Sequence, residues 1–246
     1  MSVVMGFVTQ EFIVMCADKR VCRNGNIHSE DFRKVYYLNH NIIFGFAGSV
    51  LGNYTILSHY LEDFNIYSDD CFRVDFNKTK DISFEDACDT ISRNFERFIE
   101  KHRDKEKIPD VSIMIAGFTE TGSILRTFYV RDNKPMTDTN IGEKNALCHN
   151  IFGTKQQENI LLEILDNLSE ISINNIQKAF HEVIDMDSKA NETINSKMNA
   201  VFVEKPAEFF PSLEMVDVSL KKDGFYTGKT YRKIKKSMRD QDEFYA

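Results

Sequence analysis

The sequence contains no tryptophan, only 4 prolines and 11 glycines, and no long hydrophobic run. So little glycine and proline excludes a collagen-like chain or a low-complexity linker. The apolar stretches nowhere approach the roughly 18 consecutive residues of a membrane-spanning helix, and the N-terminus lacks the basic segment and apolar core of a signal peptide. Because 42% of the 246 residues are hydrophobic, we predict a single compact domain over residues 1–246, with no membrane partner.

Basic residues are too few to form a broad positive surface, since 31 Lys and Arg stand against 38 Asp and Glu. A nucleic-acid-binding protein needs such a surface to neutralise phosphates, so nucleic acid is not an expected partner. The five cysteines form no CxxC pair, and an odd, scattered set is typical of reduced thiols rather than of a disulfide framework or a zinc site. We therefore expect a cytoplasmic protein without a bound metal, whose mature chain begins at Met1 or one residue after it.

Short runs rich in Val, Ile and Phe predict β-strands, several of them joined as hairpins. The first two runs are separated by a short polar linker, and so are the next two. A third pair flanks a turn that ends in Gly122. The predicted strands are residues 3–8, 12–17, 34–38, 42–46, 111–118, 123–130 and 198–203.

Apolar residues spaced three or four apart predict helices between these strand blocks, over residues 49–64 and 84–102, and the second of them opens with a capping-box-like sequence at Ser83. Two further helices are expected to begin at Thr154, which opens a capping-box sequence, and at Ser172. The basic and aromatic tail, about residues 221–246, is predicted to be a surface helix. Blocks of strands and helices, rather than strict alternation, predict an α+β fold in which two mainly antiparallel sheets pack face to face and helices cover them.

Ser2 would carry two groups that nucleophilic catalysis needs if Met1 were removed, as a small second residue generally permits. Removal would leave a hydroxyl and a free α-amine on one residue. The amine has a reference pKa of about 7.7–8.0, so near neutral pH a useful fraction can accept the hydroxyl proton while the oxygen attacks a carbonyl. Serine is common at this position, so the assignment depends on the residues that accompany it.

Three residues stand at the ends of the strands that follow Ser2. Asp18 closes the second predicted strand, Lys34 opens the third, and Gly48 ends the fourth. Each has a structural alternative: a surface ion pair for Asp18, protection of an edge strand for Lys34, and a simple turn for Gly48. Their occurrence together, in register with Ser2, favours a functional interpretation.

This arrangement resembles the proteasome β-subunit family of N-terminal nucleophile hydrolases. The shared features are a nucleophile that opens the first strand, an A-D-x-R motif over residues 17–20, a lysine at the third strand and an A-G pair at residues 47–48. The length and the serine start look most like the bacterial proteasome-like proteins, including the group called Anbu. The resemblance implies the family's four-layer αββα sandwich and no metal or organic cofactor.

The same resemblance implies partners. The chain would associate with itself into a ring or a helical ring-like oligomer, and unfolded polypeptide would be its substrate. An ATP-driven unfoldase is a further candidate partner.

Carried over residue by residue, the resemblance implies catalytic roles for four residues. Ser2 would be the nucleophile and its own amine the general base. Lys34 would lower the pKa of the hydroxyl or the amine, and Asp18 would pair with Lys34. Gly48 would offer its backbone N–H to the oxyanion of the tetrahedral intermediate. The usual nucleophile of the family is threonine, so the serine here lacks the methyl group that restrains the rotamer.

Later motifs of the family match less closely. The family has a serine in a Gly-Ser-Gly turn before its third helix, where this chain has Thr154, which is equally suited to be the helix N-cap. Near the end of the fourth helix the family places an aspartate and a serine that orient the terminal residue. This chain offers the stretch 187–193 there, and the candidates we assign are Asn191 and Thr193.

The resemblance also implies a first specificity pocket, with ordinary core packing as the alternative for each of its residues. Two bulky phenylalanines among them predict a shallow apolar pocket for small or medium side chains. The six residues are Val21, Phe32, Tyr36, Phe46, Val50 and Tyr54.

The expected activity is endopeptidase cleavage through an acyl-enzyme on Ser2. Two alternatives stay open: a non-catalytic assembly subunit with the same fold, and an amidase for small molecules. The presence of Asp18, Lys34 and Gly48 together argues against the first, because a silent subunit has no need of all three. The pocket alone does not exclude the second.

Overall fold

The computed structural model describes residues 2–23, 26–65, 68, 70–120, 122–142 and 148–205, and the backbone of residues 212–220 and 226–235. The strands are β1 Val4–Val8, β2 Phe12–Asp18, β3 Val21–Arg23, β4 Asn26–Ser29, β5 Val35–Tyr37, β6 Ile42–Gly48, β7 Leu61–Phe64, β8 Phe72–Val74, β9 Val111–Thr119, β10 Gly122–Arg131, β11 Lys134–Ile141, β12 Cys148–Phe152, β13 Met198–Glu204, β14 Ser212–Leu220 and β15 Tyr226–Lys235. The helices are α1 Val50–Leu57, α2 Phe76–Thr79, α3 Phe84–His102, α4 Lys155–Asp166 and α5 Ile173–Ala190. In this described part of the chain, no helix combines the length and the apolar character that crossing a membrane requires.

Two antiparallel sheets contain most of the described strands. The larger has six strands in the order β12-β1-β2-β13-β14-β15, and the second has five in the order β11-β10-β9-β6-β5. The strand pairs recorded within both sheets are all antiparallel. Strand β1 lies inside the larger sheet, where Val4 is opposite Ala17 of β2 and Phe152 of β12. The predicted mixed α+β architecture with antiparallel sheets is confirmed.

Strand β1 is buried on both of its faces. Val4 belongs to a hydrophobic cluster that includes Ile43 of the second sheet, so the two sheets share one core. The neighbouring Met5 belongs to another cluster, with Leu161 of α4 and Phe180 of α5. Because successive side chains of a strand point to opposite faces, β1 contacts the second sheet on one side and these two helices on the other. The start of β1, where Ser2 stands, is therefore anchored from both sides.

The second sheet packs against α3 through a third hydrophobic cluster, to which Phe44 of β6 belongs. Helix α3 presents an apolar stripe that includes Ile91 and Phe98, and it begins at Ser83, whose Oγ atom accepts the backbone N–H of Asp86 at 3.1 Å. This helix and its N-cap agree with the prediction from the sequence. The packing holds β6, which ends at the predicted glycine of the site, against the core.

Helix α1 is shorter than the sequence predicts, because it ends at Leu57 rather than near residue 64. A short 3-10 turn follows, and Leu61–Phe64 then form strand β7. The ring of Phe64 stacks on the ring of Tyr54, with 4.4 Å between the ring centroids. The apolar residues after Leu57 thus pack inward without continuing the helix, and a short apolar run does not by itself distinguish these two conformations.

The tail contains a strand where the sequence predicts a surface helix. Tyr226–Lys235 pair with β14, and Thr230 lies opposite Val216. Threonine and tyrosine, which recur in this segment, favour strands. The prediction of a helix is wrong here because the segment finds a partner at the edge of the larger sheet. The rest of the predicted tail, residues 221–225 and 236–246, lies outside the described residues.

Candidate active site

Ser2 stands directly before β1 and next to the end of β2. The backbone N–H of Val3 donates to Oδ1 of Asp18 at 2.8 Å, and the N–H of Asp18 donates to the carbonyl of Val3 at 3.2 Å. These bonds continue the β1–β2 pairing to the first residues of the chain. The position of the Ser2 backbone is therefore determined by the end of β2.

Asp18 and Lys34 form a fully buried ion pair. The Nζ atom of Lys34 lies 2.8 Å from Oδ1 of Asp18, and the side chains of Asp18 and Lys34 are 0% and 1% exposed, respectively. Nζ also donates to the carbonyl of Arg20 at 2.6 Å, while the N–H of Arg20 donates to Oδ2 of Asp18 at 3.0 Å. Burial lowers the pKa of Lys34 below its usual value, and the carboxylate of Asp18 opposes that shift. Charge compensation and hydrogen bonds make this buried charge tolerable.

Gly48 ends β6 in a conformation that other residues rarely adopt, with φ of +80°. A Cβ atom at this position would collide with the backbone carbonyl oxygen of Asp110. The next residue, Ser49, caps α1, because its Oγ atom accepts the N–H of Gly52 at 3.1 Å. The tight change from strand to helix therefore requires glycine and brings the Gly48 backbone to the surface.

A cleft of about 1280 Å³ brings the predicted residues together. Ser2, Lys34, Gly48 and Thr154 all line it. Asp18 is not among its lining residues, and it is bonded to Lys34, whose side chain lines the cleft. The arrangement places a hydroxyl, a buried ammonium and an accessible glycine backbone around one space.

Four of the six predicted pocket residues also line this cleft: Val21, Phe32, Phe46 and Val50. The rings of Phe32 and Phe46 pack edge to face with centroids 6.3 Å apart, and both side chains are 1% exposed. These two packed rings therefore contribute an apolar part of the cleft lining.

Tyr36 and Tyr54, which the sequence assigns to the same pocket, do not line the cleft. The ring of Tyr36 stacks on Phe44 at 5.4 Å and on Phe46 at 6.3 Å, and its side chain is buried. Tyr54 stacks on Phe64 instead. Both tyrosines belong to the aromatic layer behind the cleft, so they support its floor and do not form its surface.

Thr154 has the cap geometry that the sequence predicts. Its Oγ1 atom accepts the N–H of Gln157 at 3.2 Å, and its own N–H donates to Oε1 of Gln157 at 2.5 Å, which completes a capping box. The functional and structural interpretations of Thr154 are therefore compatible, because the residue both caps α4 and lines the cleft.

Asn191 and Thr193 are bonded to each other at the end of α5. The Oδ1 atom of Asn191 accepts the N–H of Thr193 at 3.0 Å and its hydroxyl at 2.7 Å. Neither residue lines the cleft. These contacts close the loop after α5, and the structure does not bring the two residues to the site where the sequence assigns them.

Two residues without a role in the sequence-based assignment connect with the site. The buried Gln157 donates through Nε2 to Oδ2 of Asp187 on α5. Burial raises the pKa of the Asp187 carboxyl, the hydrogen bond from Gln157 partly offsets that shift, and the nearby charge of Asp18 adds to it. The capping-box sequence marks Gln157 as a helix residue, but only the packing of α4 on α5 places Asp187 beside it.

In the described part of the chain, no group of three or more His, Cys, Asp or Glu side chains is arranged to hold a metal ion. The farther part of the cleft is polar and contains a hydrogen bond of 2.8 Å from the Tyr129 hydroxyl to Asp138. The guanidinium of Arg131 lies over the Tyr129 ring, 5.3 Å from its centroid.

Comparison with protein families identifies one match. Residues 2–129 match the family model for the proteasome subunit, and this segment includes Ser2, Asp18, Lys34 and Gly48. It ends before Thr154, so α4 and α5 lie outside the matched segment. No curated protein matches the chain.

Proposed function

Because the chain belongs to the proteasome subunit family, we propose that it is an N-terminal nucleophile hydrolase that cleaves peptide bonds through an acyl-enzyme on Ser2. The observation that carries the proposal is the position of the buried Lys34–Asp18 pair beside the cleft that Ser2 and Gly48 also line. Burial of an ammonium group costs free energy. A catalytic site that must stabilise negative charge on an attacking oxygen would account for the presence of such a group.

The proposed reaction begins when Met1 is removed and the Ser2 amine becomes free. The amine accepts the hydroxyl proton while Oγ attacks the carbonyl carbon of the scissile bond. The ammonium of Lys34 favours the deprotonated hydroxyl through its charge. The resulting oxyanion accepts a hydrogen bond from the Gly48 N–H, a kind of donor that typically contributes about 10²–10³ in rate.

The tetrahedral intermediate then collapses. The C–N bond breaks, the leaving amine takes the proton from the Ser2 ammonium, and an ester remains on Oγ. A water molecule, deprotonated by the same amine, attacks the ester carbonyl and releases the second product with regeneration of the hydroxyl. Every proton in this sequence is moved by Ser2 itself, so no metal or organic cofactor takes part.

The apolar part of the cleft supports a preference for small or medium side chains at the cleaved residue. Phe32 and Phe46 form its floor, with Val21 and Val50 beside them. A large aromatic side chain would have to displace one of these packed rings, which costs free energy.

We further propose the four-layer αββα sandwich for this chain and an Anbu-like place among the bacterial members of the family. The core shared by the two sheets, with α4 and α5 on one side and α3 on the other, supports the layer order. Subunits of this family generally assemble into rings. Self-association, unfolded polypeptide as substrate and an ATP-driven unfoldase as partner are therefore included in the proposal, with cytoplasmic localisation.

Intact-mass measurement of the purified protein tests the first requirement. Loss of the mass of Met1 is expected, and retention of Met1 would contradict the proposal because Ser2 would then lack a free amine. A peptide epoxyketone, which reacts with the hydroxyl and the amine together, should add one equivalent to wild type and none to Ser2→Ala.

Two outcomes separate the proposed peptidase from its alternatives, and a third tests the role of Lys34. A correctly processed protein that neither reacts with the epoxyketone nor cleaves peptides would be a non-catalytic assembly subunit. Hydrolysis of small amides without cleavage of any peptide would indicate an amidase. Turnover at the wild-type rate in Lys34→Ala would remove the role proposed for the ammonium.

A further inference from the structure

Gln157 joins two helices at the edge of the cleft through the two ends of one amide group. Its Oε1 atom accepts the N–H of Thr154 at 2.5 Å, and its Nε2 atom donates to Oδ2 of Asp187. The side chain is 1% exposed. A capping box at a solvent-exposed helix end needs only the first of these bonds, so the second is additional to capping.

Gly153 makes room for this arrangement. A Cβ atom at position 153 would collide with Oε1 of Gln157, whereas the next nearest atoms are at least 3.1 Å away. The amide of Gln157 thus occupies the space where a side chain of residue 153 would be. Gly153 and Thr154 both line the cleft, so the amide lies directly behind the cleft wall.

Asp187 is connected to the buried ion pair as well as to Gln157. The charge of Asp18 on β2 contributes to the raised pKa of the Asp187 carboxyl, and Asp18 in turn holds Lys34 at 2.8 Å. On its own helix, Asp185 and Lys189 are engaged with each other at 2.8 Å. On α4, Lys155 and Glu158 form an exposed pair at 2.8 Å. Among these contacts, the neutral amide of Gln157 provides the direct donor to Asp187.

We propose that Gln157 is a positioning residue of the cleft, whose amide holds Thr154 and the Asp187 carboxylate in one fixed arrangement behind the cleft wall. The inference rests on the proposed hydrolase function and adds to it a residue that does not touch the substrate. An amide suits this position because one end must accept from a backbone N–H while the other must donate to a carboxylate. Neither glutamate nor methionine can do both at neutral pH.

The variant Gln157→Glu separates positioning from capping. Glutamate at this position still accepts the N–H of Thr154, so the N-cap of helix α4 should be retained. Repulsion between the carboxylates at positions 157 and 187 should lower the melting temperature at pH 8, so kcat is expressed per folded molecule. It presents a carboxylate oxygen to Asp187 where the amide presented a donor. The two carboxylates repel each other and together retain a proton at a pH above the usual range of a single carboxyl group.

We expect kcat of Gln157→Glu to fall about tenfold to a hundredfold at pH 8 with KM nearly unchanged, as displacement of catalytic groups typically does. As the pH falls, protonation of the pair restores an O–H donor between positions 157 and 187. The ratio of variant to wild-type kcat should therefore rise toward acidic pH. A merely structural role would leave that ratio constant.

The matched control is Gln156→Glu, which adds the same charge on the exposed side of α4. Its kcat and pH profile should equal those of wild type. Equal losses in Gln156→Glu and Gln157→Glu would overturn the proposal, because charge alone would then explain the effect. A wild-type pH profile in Gln157→Glu would overturn it as well.

Gly153→Ala provides an independent variant, because its methyl group displaces the Gln157 amide without altering residue 157. The colliding atom is at the end of a flexible side chain, so the fold should be retained. Methionine at position 157 can form neither bond of the amide, so kcat of Gln157→Met should also fall. The kcat of Gly153→Ala should fall by a similar factor, and the double variant should lose little more than either single one. Additive losses would indicate that the two residues act separately and would contradict the proposal.

The positioning role of Gln157 and the proposed hydrolase activity can be tested separately. If wild type neither cleaves peptides nor reacts with the epoxyketone at Ser2, the hydrolase proposal fails. A ¹³C NMR titration of the Asp187 carboxyl in wild type and Gln157→Glu then still tests the contact. The pKa of Asp187 should rise in the variant, and an unchanged titration would overturn the positioning role whatever the activity.

Discussion

One carboxylate oxygen of Asp18 binds both the ammonium of Lys34 and the backbone N–H of Val3, each at 2.8 Å. This shared oxygen connects the buried positive charge to the residue that directly follows Ser2. The relative position of Ser2 and Lys34 is therefore set through Asp18, although Asp18 itself does not line the cleft. Any change to the ion pair should affect both the stability of the fold and the geometry at Ser2.

Lys34→Met should destabilise the protein strongly. The substitution removes the ammonium and leaves the carboxylate of Asp18, which is 0% exposed, without its ionic partner. Breaking a buried pair from one side typically costs about 3–5 kcal/mol. Urea unfolding followed by circular dichroism measures the change in the free energy of unfolding.

The matched control for this prediction is Lys189→Met. Lys189 also contacts a carboxylate at 2.8 Å, that of Asp185, but its side chain is 72% exposed. Loss of an exposed pair should cost less than about 1 kcal/mol. Similar losses of stability in the two variants would show that burial does not set the contribution of the Lys34–Asp18 pair.

Gly48→Ala should lower both stability and turnover. The residue has φ of +80°, and an added Cβ atom would meet the rigid backbone carbonyl of Asp110. Alanine at a positive φ costs more than about 1 kcal/mol even without a collision. Thermal unfolding and peptide turnover should both decrease, with a larger loss of turnover than the unfolded fraction explains.

Gly122→Ala is the control for the glycine prediction, because Gly122 also has a positive φ, of +135°, but no heavy atom closer than 4.0 Å to an added Cβ. It is not among the cleft-lining residues. This variant should lose stability through backbone strain and retain turnover per folded molecule. An equal loss of turnover in both variants would argue against a role of the Gly48 backbone in the reaction.

Phe46→Leu should shift the side-chain preference toward larger apolar residues at the cleaved position. Phe46 forms part of the cleft floor, and a smaller side chain deepens the pocket. The ratio of kcat/KM for a leucine substrate to kcat/KM for an alanine substrate should rise about tenfold, since one additional methylene in an apolar pocket changes selectivity by about that factor or more.

Phe44→Leu tests whether this shift is local. Phe44 lies on the same strand and is 0% exposed, but it does not line the cleft. Its substitution should lower stability by a comparable amount and leave the ratio of the two kcat/KM values at the wild-type level. A shift in that ratio for Phe44→Leu as large as for Phe46→Leu would show that core packing in general, rather than the floor, determines the preference.

His181 should make the fold sensitive to acid. Burial lowers its pKa below the ordinary value of 6.5, and the side chain is 2% exposed. As the pH falls below 6.5, the unfolded chain binds this proton before the folded chain does, so the free energy of unfolding decreases, by at most about 1.4 kcal/mol per pH unit.

Unfolding by urea between pH 7 and pH 5 measures this effect. His181→Gln should lose stability less steeply over that range than wild type. His59→Gln, a substitution of an exposed histidine, should keep the wild-type slope. Identical slopes for wild type and His181→Gln would contradict the prediction.

Local sequence signals are sufficient to predict those strands and helices whose apolar or capping patterns are strong. The apolar runs predict β1, β2, β6, β9, β10 and β13, and the caps at Ser83, Thr154 and Ser172 predict the starts of α3, α4 and α5, as the structure confirms. Strand β11 has no such signal, because its side chains are mostly exposed and carry no apolar alternation. The segment of β15 is mistaken for a helix because its pairing with β14 leaves no local signal.

Site residues, like the strands and helices, can be predicted from the sequence only where a local pattern specifies their position. Lys34 and Gly48 stand at neighbouring ends of β5 and β6, so the antiparallel pairing of these two strands brings them together. Ser2 precedes β1 of the other sheet, and only the packing of the two sheets brings it to the same cleft. Asn191 and Thr193 stand after a helix whose packing no local signal specifies, and they bond to each other instead.

The sequence by itself determined the family, the order of the main strands and helices, and the glycine that the turn at residue 48 requires, because these depend on residue type and short-range spacing. Only the tertiary structure decided that Tyr36 and Tyr54 lie behind the cleft, that one oxygen of Asp18 holds both Lys34 and Val3, and that Gln157 reaches Asp187. The physical reason is that side-chain burial and bonding between distant elements depend on how whole sheets and helices pack, which no local pattern encodes.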